Sequence, residues 1–333
     1  MHLCFPLPGP ALPLGLLSTQ EVMAMHVELK TLLCAIDFSD FSRQVIHCGI
    51  GLCRQLGTRM IIFHAVPLPS DRFRGAGVFQ GEENRRSLSR QALQKIDALI
   101  GSAGANHQPI VSFGDPVEEV QRVAAAENVQ LVVTASRGIS GIRRMLLGTV
   151  VERMARSVSC PLLTLRPARP SKGGNNRTPF EVKQIVVGCD LLPFTQSALF
   201  FALELARRCG AALHLLHTIE APADEDVADS PLSTYAQAQE AQQNRLRRRL
   251  GNLLPADAIA PGRLKTVLMA GNPGEAICSY ASEVGADVIA VGVQPHGALD
   301  QILVGSTTEM LLRHAPCPVL TVPGRGVIAE KGA

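Results

Sequence analysis

The residues able to do chemistry recur in two sets. Asp37 ends the apolar run Leu33-Cys34-Ala35-Ile36, and Asp190 ends Val186-Val187-Gly188-Cys189. A carboxylate there can accept a hydrogen bond from an adenine amino group or a ribose hydroxyl. Later come Ala135-Ser136-Arg137-Gly138 and Gly292-Val293-Gln294-Pro295, each followed after nine residues by a glycine and a hydroxyl residue, Gly148-Thr149 and Gly305-Ser306. Gly138 lets a backbone approach a pyrophosphate with no Cβ in the way. Gly148-Thr149 opens a helix whose free N–H groups and positive end suit an anion, and the Thr149 hydroxyl can donate to a phosphate oxygen or reach a metal. Each set closes on Cys-Pro and a short apolar run, at Cys160-Pro161 and Cys317-Pro318. The chain is a tandem duplication, and its glycine spacing describes a phosphate cradle. Taken alone, those glycines are equally what two strand-to-helix turns require, so residue types leave both readings open.

The elements that must position these residues alternate along the chain. Thr31–Asp37 reads as a buried strand, and Val45, Cys48, Leu52 and Leu56 mark an amphipathic helix that stops at Gly57. Met60–Val66, Ile110–Phe113, Leu131–Thr134 and Leu162–Leu165 are further strands, separated by helices over Glu82–Ile100, after Gly114-Asp115-Pro116, and over Gly148–Ser157. The second half repeats the order. Its strands are Ile185–Asp190, Leu213–Thr218, Leu264–Ala270, Asp287–Val291 and Val319–Val322, with helices over Thr195–Gly210, within Pro231–Leu254, and after Gly271-Asn272-Pro273. Strands apolar on both faces and alternating with helices predict parallel sheets covered on both sides. The expected fold is α/β, two tandem doubly wound domains. In such sheets ligands sit beyond the carboxyl ends of strands where the topology reverses, which is where Asp37, Asp190 and both glycine motifs fall. The expected organisation is a non-structural extension over 1–27, domains over 28–167 and 182–324, a Pro/Gly/Asn-rich linker over 168–181, and a tail over 325–333.

Composition narrows the function. With 333 residues the chain has room for two cores. A hydrophobic share of 46% with 18% charged residues is that of a globular protein, not a disordered one. A net charge of +3, no tryptophan and 4% aromatics argue against a nucleic-acid partner. The nine cysteines show no metal-site spacing and mostly sit in apolar segments, which fits a reducing cytoplasm. Prolines 6, 8, 10 and 13 interrupt the apolar N-terminal stretch, so no transmembrane segment is expected. Arg137, Arg143 and Arg144 read first as a solvated basic face and second as phosphate neutralisers. The arginine run over 245–249 and the acidic cluster Asp224-Glu225-Asp226 read as solvated surface. His64 and His217 occupy matching second-strand positions, as structural packing would demand.

The order strand-Asp-x-Ser, then Gly-x2-Gly-x9-Gly-[Ser/Thr], then Cys-Pro and a last strand resembles the universal stress protein family over nearly all of residues 28–324, in two copies. The resemblance implies five-stranded parallel domains of order 3-2-1-4-5 with helices on both faces, and an ATP site in many members. Carried over, Asp37 and the backbone at Ala65 face adenine, Ala35 and Ala135 lie near ribose, and Gly138, Gly148, Thr149 and Val150 lie near phosphate, with or without Mg2+. It also implies pairing through the final strand, so a tandem chain reads as an intramolecular pseudo-dimer; pairing of whole chains into a homodimer stays open.

This sequence departs from the family pattern at two places. Ala135 replaces the first motif glycine, which adds only one methyl group. Pro295 stands where the second copy needs its second glycine, and proline offers no N–H and fixes φ near −65°. The second site, at Asp190, Thr218, Gly292, Gly305 and Ser306 with Gly188 beside them, is expected to be weak or empty. No GxxxxGK[ST] lysine, GxSxG elbow or oriented base is visible, so no catalyst is assigned. The expectation is an ATP-binding stress-response protein whose nucleotide tunes contact with a protein partner. The alternatives are a nucleotide-independent scaffold or apolar-ligand binder with eroded sites, and a slow ATP hydrolase.

Overall fold

The computed structural model describes residues 28–67, 82–101, 106–136, 148–166, 180–192, 195–219, 232–255, 257–296 and 301–324. The extension 1–27, linker residues 168–179, the acidic cluster 224–226 and the tail 325–333 lie outside them. The first copy contains β1 (Thr31–Ala35), α1 (Ser42–Leu56), β2 (Arg59–Val66), α2 (Glu82–Ile100), β3 (His107–Phe113), α3 (Pro116–Ala126), β4 (Leu131–Ala135), α4 (Thr149–Ser157) and β5 (Leu162–Leu165). The second contains β6 (Gln184–Gly188), α5 (Thr195–Cys209), β7 (Ala212–Ile219), α6 (Leu232–Gly251), β8 (Leu264–Ala270), α7 (Pro273–Glu283), β9 (Val288–His296), β10 (Gln301–Leu303), α8 (Ser306–His314) and β11 (Val319–Pro323).

Local chemistry fixes several of these boundaries. Gly57 closes α1 in the left-handed region at φ 66°, its amide donating to the Cys53 carbonyl. Asp115 caps α3 by accepting from the amides of Val117 and Glu118, with Pro116 in the first turn. Asn272 does the same for α7 with Gly274 and Glu275, ahead of Pro273. The repeat therefore conserves the cap while exchanging a charged acceptor for a neutral one. β3 starts earlier than hydropathy alone suggests, because its polar first residues and Pro109 are tolerated in the outermost strand of the sheet.

Within the first copy the strand order is β3-β2-β1-β4-β5, the expected 3-2-1-4-5, with every pairing parallel. The second copy has the same order plus one extra strand, β10, paired only to β9. The two sheets are fused. β5 and β11 pair antiparallel through Val319↔Thr164, Leu320↔Leu163 and Thr321↔Leu162. Leu163, Thr164, Leu320 and Thr321 are all buried, and each strand's backbone donors and acceptors would otherwise form an unpaired edge.

The apolar clusters on the two faces of this sheet also cross the junction. One contains Val45 and Leu52 of α1, Ile96 of α2, Leu199 and Phe201 of α5 and Leu250 of α6. The other contains Val120 of α3, Met154 of α4, Ile277 of α7 and Leu311 of α8. Both clusters draw members from both copies. Swapped contacts reinforce the pseudo-twofold relation: the Gln55 side-chain carbonyl accepts from the Val182 amide at 2.9 Å. Its counterpart Arg208 donates to the Leu29 carbonyl at 3.2 Å. Gly51 of α1 leaves room for the chain entering the second copy, since a Cβ there would sit 2.1 Å from the Phe180 carbonyl oxygen. No helix among the described residues is long and apolar enough to cross a membrane.

Candidate functional site

At the carboxyl ends of β1 and β6 the chain makes the same tight turn in both copies. Phe38 and Leu191, directly after the two aspartates, hold φ of 62° and 61°, a region costly for side chains of that size. The aspartates stabilise it. Asp37 Oδ1 accepts from the Ser39 amide at 3.0 Å and from the Ser42 hydroxyl at 3.3 Å. Asp190 Oδ1 accepts from the Leu192 amide at 2.9 Å and from the Thr195 hydroxyl. Each aspartate therefore builds its turn.

The matched histidines brace the same turn from β2 and β7. His64 Nδ1 lies 2.9 Å from the Ile36 carbonyl oxygen and His217 Nδ1 2.6 Å from that of Cys189. A carbonyl only accepts, so Nδ1 carries the proton and donates in both, which fixes the neutral tautomer. Burial pushes the His64 pKa down, partly opposed by this hydrogen bond. The Phe38 ring rests on the His64 ring with centroids 4.2 Å apart, and Lys95 Nζ sits 5.3 Å from the Phe38 centroid.

Beside this turn the first copy opens a cleft of about 380 Å³, within the range of small-molecule sites. Seven of the eight residues singled out in this copy line it: Ala35, Asp37, Ala65, Ala135, Gly148, Thr149 and Val150. They come from β1 and the turn after it, β2, β4, and α4 with its N-cap residue. The eighth, Gly138, lies outside the described residues, as do Arg137, Arg143 and Arg144. Val45, Phe63, Val120 and Met154 give the cleft an apolar floor. Sequence reading passed these over because apolar periodicity marks every core residue alike.

The polar end is α4. Gly148 holds an extended conformation, φ −67° and ψ 137°, and supplies no side-chain cap. Its own amide donates to the Ser136 carbonyl at 2.9 Å, closing the intervening loop, and is not a donor for a ligand. The first-turn amides of Thr149, Val150 and Val151 remain, with the Thr149 hydroxyl. Such an uncapped N-terminus attracts an anion. Arg153, further along α4, is held away by a bidentate pair to Asp115, at 2.8 and 2.9 Å. Among the described residues no lysine or arginine lines the cleft, and no cluster of His, Cys, Asp or Glu gathers to hold a metal ion.

The second copy places its counterparts differently. Asp190 and Thr218 keep their positions, and Gly305 and Ser306 open α8 as Gly148 and Thr149 open α4. Gly292 pairs inside the sheet with Val322, as its counterpart Ala135 pairs with Leu165. Gly188, the counterpart of Ala35, is approached by Ile277, the counterpart of Val120. A Cβ on Gly188 would lie 2.9 Å from Ile277 Cδ1 and 3.2 Å from Val291 Cγ1. One methyl group has moved from the strand to the helix. Beyond Gly292 the backbone, Pro295 included, continues as strand and pairs with β10.

Comparison with known proteins agrees with this architecture. A model of the universal stress protein family matches residues 28–166 and 181–323. Universal stress protein YxiE of Bacillus subtilis is 28% identical over 147 residues, 40% of this chain and 97% of that protein. Universal stress protein Slr1230 of Synechocystis is 21% identical over 314 residues, 88% of this chain and 99% of the relative. In the solved structure of a universal stress protein from Archaeoglobus fulgidus the fold superposes with a TM-score of 0.65 at 21% identity, covering 90% of this chain and 100% of that one.

Proposed function

Because the chain belongs to the universal stress protein family, we propose that it is a stress-response protein that holds one adenine nucleotide, ATP, in the cleft of its first copy as a regulatory ligand. The observation that carries this reading is the convergence of β1, β2, β4 and the uncapped start of α4 on one cleft. The base end offers Asp37 and the backbone at Ala65, with Phe63 and Val120 providing apolar contact. The phosphate end offers the amides of residues 149–151 and the Thr149 hydroxyl, where Mg2+ would also be met. Phosphate charge is answered here by a helix terminus.

The nucleotide is held, not turned over, in this reading: His64 Nδ1 is committed to the Ile36 carbonyl, and the Ser42 hydroxyl and the Asp37 carboxylate are engaged with each other in the turn after β1. In this reading the second copy's site is weak or empty, for Pro295 occupies the position where the first copy has Gly138. The eight described cysteines are free thiols, which suits a reducing compartment, and the proposal places the chain in the cytoplasm. A second reading, an apolar ligand in the same cleft, draws on the floor of Val45, Phe63, Val120 and Met154.

Native mass spectrometry of freshly purified protein, followed by titration with ATP, separates the two. A single added mass of ATP or AMP per chain is expected, and Ala65→Leu, which fills the base end, is expected to weaken ATP binding at least about tenfold, roughly 1.4 kcal/mol. Equal affinity of wild type and variant would refute the site. A lipid-like mass would favour the apolar ligand.

A further inference from the structure

The expected five-strand order accounts for every strand of the second copy except β10. The pairing of β9 with β6 stops at Ala290 and that with β11 at Val293. From Gln294 to His296 its ladder partner is β10, in the register Gln294↔Leu303, Pro295↔Ile302 and His296↔Gln301. Pro295 therefore lies where the strand has left the main sheet, which is where a missing N–H is tolerated. The stretch that would cradle phosphate in a competent copy is zipped into a ladder here.

β10 does not stay with its own copy. It lies along α4 of the first copy, with Cα atoms of the two elements within 8 Å. Val304, the next residue, packs on the apolar cluster that includes Met154 and Ala155 of α4, as Val150 does. α4 is only nine residues long and has no side-chain cap, so its first turn has little intrinsic resistance to fraying. That same turn carries the amides that face the cleft. We propose that the β9–β10 ladder is a brace that positions α4. Its second copy thus sets the affinity of the first copy's cleft, and a ligand in that cleft in turn stabilises the ladder, since coupling between sites is reciprocal.

The affinity half of this inference rests on the nucleotide reading, whereas the bracing half does not. The test uses the full-length chain and the variant Ile302→Gly with Leu303→Gly, which lowers strand propensity without adding charge; Val304→Ala is the milder second variant. Hydrogen exchange without ligand is expected to show α4 amides exchanging about fivefold or more faster in the variants, with α3 unchanged. Wild-type exchange across α4 in both would overturn the brace. Titration with ATP is expected to show about fivefold or more weaker binding by the same variants. Wild-type affinity beside a loosened α4 would overturn the link to the cleft. Absence of ATP binding by the wild-type chain as well would overturn the nucleotide reading and the affinity half with it, leaving the brace judged by exchange.

Discussion

Replacing Val120 by isoleucine is expected to destabilise the fold, and replacing Ala35 by glycine in the same chain is expected to restore it. In the second copy, Ile277 Cδ1 lies 2.9 Å from the point where a Cβ on Gly188 would sit. Transferred to the first copy, that geometry sets an isoleucine methyl against the real Cβ of Ala35, well inside the 3.5–4.0 Å of a favourable carbon contact. Val120 and Ala35 are both buried, so the overlap costs about 1–3 kcal/mol. Ala35→Gly alone loses one buried methyl and gains chain entropy in the unfolded state, about 1–2 kcal/mol. Independent effects would sum to about 2–5 kcal/mol. The double variant instead recreates the arrangement at Gly188 and Ile277, and is expected to lose no more than about 1–2 kcal/mol. Urea unfolding of all four proteins gives the coupling energy. Additivity within about 0.5 kcal/mol would show that the two copies do not share this packing solution, and the reasoning about the second site would fail.

Gly51→Ala is expected to lose about 1–2 kcal/mol despite alanine's helix gain of about 1 kcal/mol, because the Cβ would meet the Phe180 carbonyl oxygen at 2.1 Å; Gly251→Ala, which meets nothing within 4 Å, is the control in the same urea series. Burial lowers the pKa of both His64 and His214. The unfolded chain then binds more protons below about pH 6.5, and stability is lost as pH falls through that value towards the folded pKa values. Thermal midpoints are expected to fall between about pH 7 and 5, less steeply in His64→Gln, and parallel profiles would contradict this assignment. Burial pushes the thiols of Cys189, Cys209 and Cys317 up to about 12 and that of Cys160 to about 11. Peptide mapping after iodoacetamide at neutral pH is expected to find these four labelled only in unfolded protein. Their labelling in the native chain would refute the burial argument.

Much of the fold is written locally. Gly57, Asp115-Pro116 and Asn272-Pro273 mark helix ends through φ preference, capping and the missing proline N–H, all properties of adjacent residues. The lining residues Asp37, Gly148 and Thr149 were legible because turns and helix starts demand particular residue types. The floor of the cleft was not: Val45, Phe63, Val120 and Met154 obey the same periodicity as residues that pack elsewhere. Likewise, nothing local to Gly148 reveals that its amide is spent on the Ser136 carbonyl. The strand beyond Val291 was missed because Pro295 argues against a strand wherever a sheet continues on both sides, and here it does not.

By itself the sequence determined the duplication, the alternation of strands with helices and the places where turns put an aspartate or an anion-binding helix start, because each follows from the stereochemistry of neighbouring residues. The pairing of β5 with β11 that fuses two sheets into one was expected from the family resemblance; tertiary structure alone decided that a methyl group passes from Ala35 to Ile277 between copies and that β10 crosses to α4. Those outcomes depend on which surfaces must be covered and which backbone groups must find partners across the whole molecule. Such demands bind residues far apart in the chain and leave no mark in the spacing of near ones.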